Sequence, residues 1–216
     1  MSDEIKEGDF VEIDYTGFVR ETGLPFDTTR GEVAKDNPMF DPNQKYEPVI
    51  VCIGEGHLLK GLEKGLVGKG IGSFKFSLTP EEAFGKKNAK LLQLMSTARF
   101  REQEISPVPG LQVNIDGMFG IIKTVSGGRS VVDFNHPLAG KDLDYEVEVR
   151  RIVSHSLEKL NSLMKFYFRD FTTSLAEGKA VVEMKADMPP QLKTKVVEEI
   201  TKLIPEIKEV EINLAA

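Results

Sequence analysis

The chain has 216 residues, 40% hydrophobic and 29% charged, enough apolar content for a packed core in one large domain or two to three small ones. A net charge of -6 argues against nucleic acid as a partner, and no apolar run approaches the roughly 20 residues that span a bilayer, so no membrane is expected either. One cysteine, three scattered histidines, no phosphate-binding glycine loop and no nucleophile elbow leave no basis for a disulfide scaffold, a zinc centre, a nucleotide enzyme or a serine hydrolase.

Met1-Ser2-Asp3-Glu4 is neither basic nor apolar, which does not suit a secretory signal. With Cys52 alone, a reducing cytoplasm is the expected setting. Cys52 sits in the apolar run Val49–Ile53 and reads as a buried structural thiol.

Residues 9–19 alternate Val11, Ile13 and Tyr15 with Glu12 and Asp14, the period of a half-buried strand. Residues 21–48 are rich in glycine and proline and should be mostly loop. Val49 to Ile53 reads as a strand. Leu58, Leu59, Leu62 and Leu66 then share one face of a short helix ended by Gly68 and Gly70. Phe74, Phe76 and Leu78 alternate as a strand, and residues 79–85 form a turn. From 88 to about 131 the pattern changes to a compact β-rich insert. Asn135 to Gly140 is a loop, and Leu143, Tyr145, Val147 and Val149 alternate along another strand. After Ser154 comes a helix with Leu157, Leu160, Leu163 and Met164, then a strand from Ala180 to Ala186. Pro189-Pro190 opens a helix to about Ile204, and a last strand runs from Glu209 to Leu214. The β-α-β order predicts a small α+β C-terminal domain.

Five short motifs stand in a fixed order: Asp14-Tyr15-Thr16-Gly17, Phe26-Asp27, Gly61-Leu62-Glu63 with Gly65, Pro80-Glu81-Glu82-Ala83-Phe84-Gly85 and Tyr145-Glu146-Val147-Glu148. In that order they resemble the FKBP family of peptidyl-prolyl isomerases, over about half the chain. The insertion after Phe84-Gly85, with the return at Asn135 to Gly140, is similar to the SlyD-like branch. There an insert-in-flap domain binds unfolded chains. The appended C-terminal segment resembles the long archaeal-type members.

The resemblance implies an α+β fold: an antiparallel sheet wrapped on a short helix, an inserted β-rich domain and a small α+β C-terminal domain. The corresponding boundaries are 1–87 with 131–153 for the isomerase domain, 88–130 for the insert and 154–216 for the C-terminal domain. It implies a pocket of Tyr15, Phe26, Asp27, Leu58, Leu59, Leu62, Phe84 and Tyr145, with Val49 as a further wall. Leu62 stands where many members have tryptophan, and Phe84 where many have tyrosine. The second change removes a hydroxyl that could bind a substrate carbonyl.

These residue types suit the implied chemistry. Resonance sets a barrier of about 18–20 kcal/mol to rotation about a peptide bond. Exchange at X–Pro takes tens of seconds or longer. No bond need break, so no nucleophile, metal or cofactor is expected; an apolar pocket must hold the twisted imide better than the planar forms. Asp27 reads either as a substrate-orienting group or as a turn cap before Thr28-Thr29. Tyr15 and Tyr145 read equally as pocket or core.

In the insert, Leu92, Met95, Phe100, Met118, Phe119 and Ile122 are candidate client contacts. Most of them must serve the core of so small a domain. The expected partners are unfolded, proline-containing polypeptides, and the C-terminal domain is a candidate for homodimer formation. A holdase with a vestigial pocket is the alternative, favoured by Phe84; a scaffolding module is the third reading.

Overall fold

The computed structural model describes residues 4–185 and 188–214. The leader reading of residues 1–3 and the end of the strand expected to reach Ala186 lie outside the described residues. The chain forms two compact units, Met1–Leu78 with Leu143–Ala216, and Thr79–Asp142.

The first unit is built on β1 (Phe10–Val19). One edge of β1 pairs antiparallel along its whole length with β9 (Leu143–Val153). The other edge is divided: β3 (Val49–Cys52) takes Phe10 to Ile13, and β2 (Leu24–Thr28) takes Thr16 to Val19. β4 (Gly72–Leu78) adds to the far side of β9. Both faces of the first half of β1 are covered, which is why Phe10, Val11 and Ile13 are all buried instead of alternating.

The stretch expected as mostly loop therefore contains a strand, β2, and a short helix, α1 (Gly31–Lys35). The segment Leu24-Pro25-Phe26-Asp27-Thr28 has no alternation to reveal it. Pairing with β1 makes it a strand, and as an edge strand it tolerates Pro25. The buried hydroxyls of Thr16 and Thr28, 2.7 Å apart, fix the join.

The short helix, α2 (Lys60–Leu66), starts later than the leucine pattern suggested. Leu58 and Leu59 precede it, so only Leu62 and Leu66 form its buried face. The Leu59 carbonyl accepts from the amides of Leu62 and Glu63 at 2.9 and 3.1 Å. A Cβ on Gly65 would lie 2.6 Å from the Phe76 ring, so only glycine lets α2 approach β4 this closely.

The C-terminal segment comprises α4 (Ser156–Tyr167), β10 (Phe171–Ala176), β11 (Lys179–Met184), α5 (Pro190–Leu203) and β12 (Glu209–Leu214). β11 and β12 are parallel, with α5 as the crossover, and β10 lies antiparallel on β11. Sequence periodicity missed β10 because threonine occupies one of its inward positions. The Thr173 hydroxyl is satisfied by the Asn161 side-chain oxygen at 2.6 Å. Leu160, Leu163, Met164, Val182, Val196 and Ile200 form one hydrophobic cluster with Phe10, Cys52 and Val153, so this segment shares its core with the end of the β1–β3–β9 sheet. Burial pushes the Cys52 thiol up to about 12, as fits a structural cysteine.

The second unit begins with a 3-10 turn at Pro80–Glu82, closed by a reciprocal cap between Thr79 and Glu82. β5 (Leu92–Ser96), β6 (Gln112–Ile115), β7 (Met118–Ser126) and β8 (Arg129–Asp133) form an antiparallel sheet in the order β5-β8-β7-β6, with α3 (Thr97–Arg101) after β5. Its core is Phe100, Val113, Ile115, Ile122 and Val132. The two chain segments meet at its neck, where the Asn88 amide donates to the Asn135 side chain at 2.7 Å and Asn135 donates back to the Asn88 carbonyl at 3.1 Å.

No helix among the described residues is long and apolar enough to cross a membrane.

Candidate active site

Four of the expected pocket residues meet where β2, β1 and β9 run side by side. Gly17 of β1 lies opposite Asp27 on one neighbour and opposite Tyr145 on the other. Phe18 pairs with Pro25, so Phe26 is the extra residue of a β-bulge. A bulge breaks the strict alternation of faces, and it lets two consecutive side chains serve one site. Phe26 sets its ring edge-on to Tyr145, with centroids 5.8 Å apart at 87°. The next residue, Asp27, accepts a 2.9 Å hydrogen bond from the Tyr15 hydroxyl. Tyr15 and Tyr145 approach to 6.1 Å.

Glycine at 17 is required by this packing. A Cβ there would sit 2.8 Å from both the Phe26 and the Tyr145 rings. Below this layer the Tyr15 amide donates to the Thr29 hydroxyl at 2.9 Å, and Thr29 donates to the buried carboxylate of Asp14 at 2.8 Å. Arg150 pairs with the other Asp14 oxygen at 2.5 Å. The Asp-Tyr-Thr-Gly motif thus divides its work: Asp14 anchors the β1–β2 join, Tyr15 holds Asp27, and Gly17 makes room for the rings.

Electrostatics follow from burial. Desolvation raises the Asp27 carboxyl above the usual aspartate range, and the bonds from Tyr15 and the Thr28 amide pull it partly back. Both Tyr15 and Tyr145 are held well above the ordinary phenol range, by burial first and by the nearby Asp27 second, so both hydroxyls stay protonated donors.

Leu62, 2% exposed, belongs to the buried face of α2. Leu58 and Leu59 lie on the half-buried connection ahead of that helix. Glu63 organises this connection by accepting from the amides of Gly56 and Leu58 at 3.0 and 3.3 Å. His57 also belongs to it: the ring nitrogen Nδ1 accepts from the Cys52 amide at 3.0 Å. Val49, Leu58 and Tyr15 line a common cavity. Phe84 lies in the second unit, where its ring stacks on His136 at 4.3 Å and 5°.

The six insert residues divide. Phe100 and Ile122 are buried in the core of the second unit, so these two are not available as surface contacts, and Met95 packs partly buried against that core. They face inward because they stand on the helix face and the strand parity that close that small core. Leu92, Met118 and Phe119 are exposed. Sequence reasoning placed the helix α4 but not its part in the site: Asn161, Lys165 and Phe166 line the same cavity as Tyr15, and nothing in the local pattern of that helix marks them.

Residues 2–103 match the family model described as FKBP-type peptidyl-prolyl cis-trans isomerase, and residues 93–138 match that of the FKBP26 IF domain. The chain is 33% identical to the short-type peptidyl-prolyl cis-trans isomerase of Methanocaldococcus jannaschii over 153 residues, 70% of this chain and 96% of that protein. It is 38% identical to an FKBP-type 16 kDa isomerase of Escherichia coli over 112 residues, 49% of this chain and 74% of that protein. It is 30% identical to the FKBP-type isomerase SlyD of Aeromonas hydrophila over 162 residues, 69% of this chain and 65% of that protein. The chain belongs to the FKBP-type peptidyl-prolyl cis-trans isomerases.

Proposed function

We propose that the protein isomerises X–Pro bonds in unfolded polypeptides and holds those polypeptides as a folding chaperone. The Tyr15–Asp27 hydrogen bond inside an aromatic enclosure carries the catalytic half of this reading. The twisted imide loses resonance, its carbonyl carries less charge, and an apolar surround suits it better than water does. Phe26 and Tyr145 supply that surround beside Asp27, and the family resemblance assigns Leu58, Leu59 and Leu62 to it as well. Of the residues assigned to it, Asp27 alone carries a carboxylate, and Tyr15 orients it. A preference of about 4 kcal/mol for the twisted form gives roughly a thousandfold acceleration.

The client-binding half rests on the outer face of the second unit's sheet. Leu92 lies across from Asp133 and so from Ile121, and Leu94 lies across from Val131. Phe119 is two residues before Ile121 and shares its face. On this face Leu92 is 45% exposed, Leu94 59% and Phe119 78%, large apolar side chains left open opposite the buried core, with Asp133 between Leu92 and Ile121. Clients would be unfolded proline-containing chains. The buried lone cysteine supports a reducing, cytoplasmic setting. The outer edges of β10 and β12, uncovered by other strands among the described residues, support assembly of two copies through the C-terminal sheet.

A protease-coupled peptide assay beside refolding of a proline-limited protein tests the whole reading. Both should accelerate; refolding without peptide turnover would favour the holdase alternative. Replacing Leu94 and Phe119 by serine should reduce aggregation suppression and leave peptide turnover unchanged.

A further inference from the structure

Tyr15, Val49 and Leu58 line a cavity of about 480 Å³ whose lining continues onto α4 through Asn161, Lys165 and Phe166. That volume is within the range of about 300–1,000 Å³ typical of ligand sites. Tyr15 therefore serves two places at once: its hydroxyl holds Asp27 at the proposed prolyl site, and its side chain also borders this cavity. Tyr15 is the residue the two have in common.

α4 is held firmly against this site. Its inner residues Leu160, Leu163 and Met164 share a hydrophobic cluster with Phe10 and Cys52, on the strands that carry Tyr15 and Val49. Its outer end is pinned by the Phe166 ring stacked on His57, 4.3 Å apart at 30°, and by Lys165 paired with Glu47 at 3.3 Å. Lys202 of α5 adds a 2.8 Å pair to Glu55 in the same connection as His57. Phe166 nonetheless remains 49% exposed, a large apolar ring left open by an otherwise well-packed helix.

The lining chemistry describes the occupant. Val49, Leu58 and Phe166 offer apolar surface. The cavity's acidic groups Glu12, Glu158 and Glu47 are already paired with Arg151 or Lys165, so a charged small molecule finds no unmatched counter-ion. The Asn161 oxygen is occupied by Thr173, and its amide NH₂ has no hydrogen-bond partner among the described residues. Apolar walls with one amide donor suit an extended polypeptide, with a side chain against Phe166 and a backbone carbonyl at Asn161.

We infer that α4 is the outer wall of the substrate groove, and that the cavity holds the residues of the polypeptide that flank the isomerised proline. This rests on the prolyl-site reading given above. Binding remote from the twisting bond acts on planar and twisted forms alike, so it should lower KM and leave kcat unchanged.

The experiment compares a prolyl tetrapeptide with dodecapeptides that extend it by apolar residues on the N-terminal or the C-terminal side. Turnover gives kcat and KM, and fluorescence anisotropy gives Kd. In the native protein at least one extended peptide should bind about fivefold or more tighter than the tetrapeptide. Phe166→Ala should erase that advantage in Kd and KM and leave tetrapeptide turnover unchanged. Phe166→Leu, which keeps an apolar wall but loses the ring stack, should retain most of it. The inference is overturned if the native protein shows no length advantage, if it binds none of the peptides, if Phe166→Ala leaves the advantage intact, or if that variant weakens short and extended peptides equally. If a length advantage in Kd is lost in Phe166→Ala while no peptide is isomerised, the α4 subsite stands and the isomerase reading falls.

Discussion

The hydroxyl of Tyr15 on β1 and the carboxylate of Asp27 on β2 are joined by a 2.9 Å hydrogen bond within a half-buried aromatic enclosure. Burial raises the Asp27 carboxyl, and the bond only partly reverses this. A carboxyl whose folded-state value lies above its unfolded one binds its proton more tightly when folded. It favours the fold at low pH and opposes it once pH has risen through the folded value.

Asp27→Asn should therefore be at least as stable as the native protein at pH 7, because the amide oxygen can keep the bond from Tyr15 and no buried charge remains. Any gain in melting temperature should vanish below about pH 4, where the carboxyl is protonated in both states. Isomerase activity should fall tenfold or more, roughly 1.4 kcal/mol of transition-state stabilisation. Unchanged activity would remove Asp27 from the site. A clear loss of stability at pH 7 would contradict the electrostatic account.

Gly17→Ala places a methyl 2.8 Å from two aromatic rings. Overpacking of this kind costs about 1–3 kcal/mol. The rings of Phe26 and Tyr145 must separate, so peptide turnover should fall further than the loss of stability explains. Denaturant titration beside a turnover assay checks this; native-like activity would show that the rings have no role in catalysis.

Phe84→Tyr should be tolerated. The parallel stack on His136 presents a ring face, which tyrosine keeps. Stability should change by less than about 1 kcal/mol, as for substitutions that create neither cavity nor unpaired buried group. Activity should be equal or higher, as the family resemblance implies for tyrosine at this position. Cooperative unfolding at a markedly lower temperature would show that the ring edge is packed.

Excising residues 89–134 and joining Asn88 to Asn135 uses the neck where the two segments already hydrogen-bond. Turnover of short peptides should be nearly unchanged, because Tyr15, Phe26, Asp27 and Tyr145 lie in the other unit. Catalysed refolding of an unfolded protein should drop at least tenfold, about 1.4 kcal/mol of lost coupling between two linked sites. Equal loss on both substrates would mean that the insert supports the active site itself.

Several features could be read from residue order alone. Alternation in residues 9–19, from Phe74 to Leu78 and from Leu143 to Val149 places three strands of the main sheet, although burial on both faces overrides that period in the first half of β1. The last strand, Glu209–Leu214, has the expected bounds, and α5 opens at Pro190 as its prolines required. The motif order pointed to the family, and Asp14-Tyr15-Thr16-Gly17 to the place where Tyr15 meets Asp27. Tertiary structure decided the rest. β2 exists because β1 offers it an edge, and a bulge there, invisible in one strand's sequence, turns Phe26 and Asp27 to the same site. Phe100 and Ile122 are core and Phe119 is surface because the strand register and a small interior select among apolar residues that look alike in sequence. The role inferred for α4 depends on a cavity lined jointly by residues about 150 positions apart, and no local periodicity encodes which surface a helix will meet.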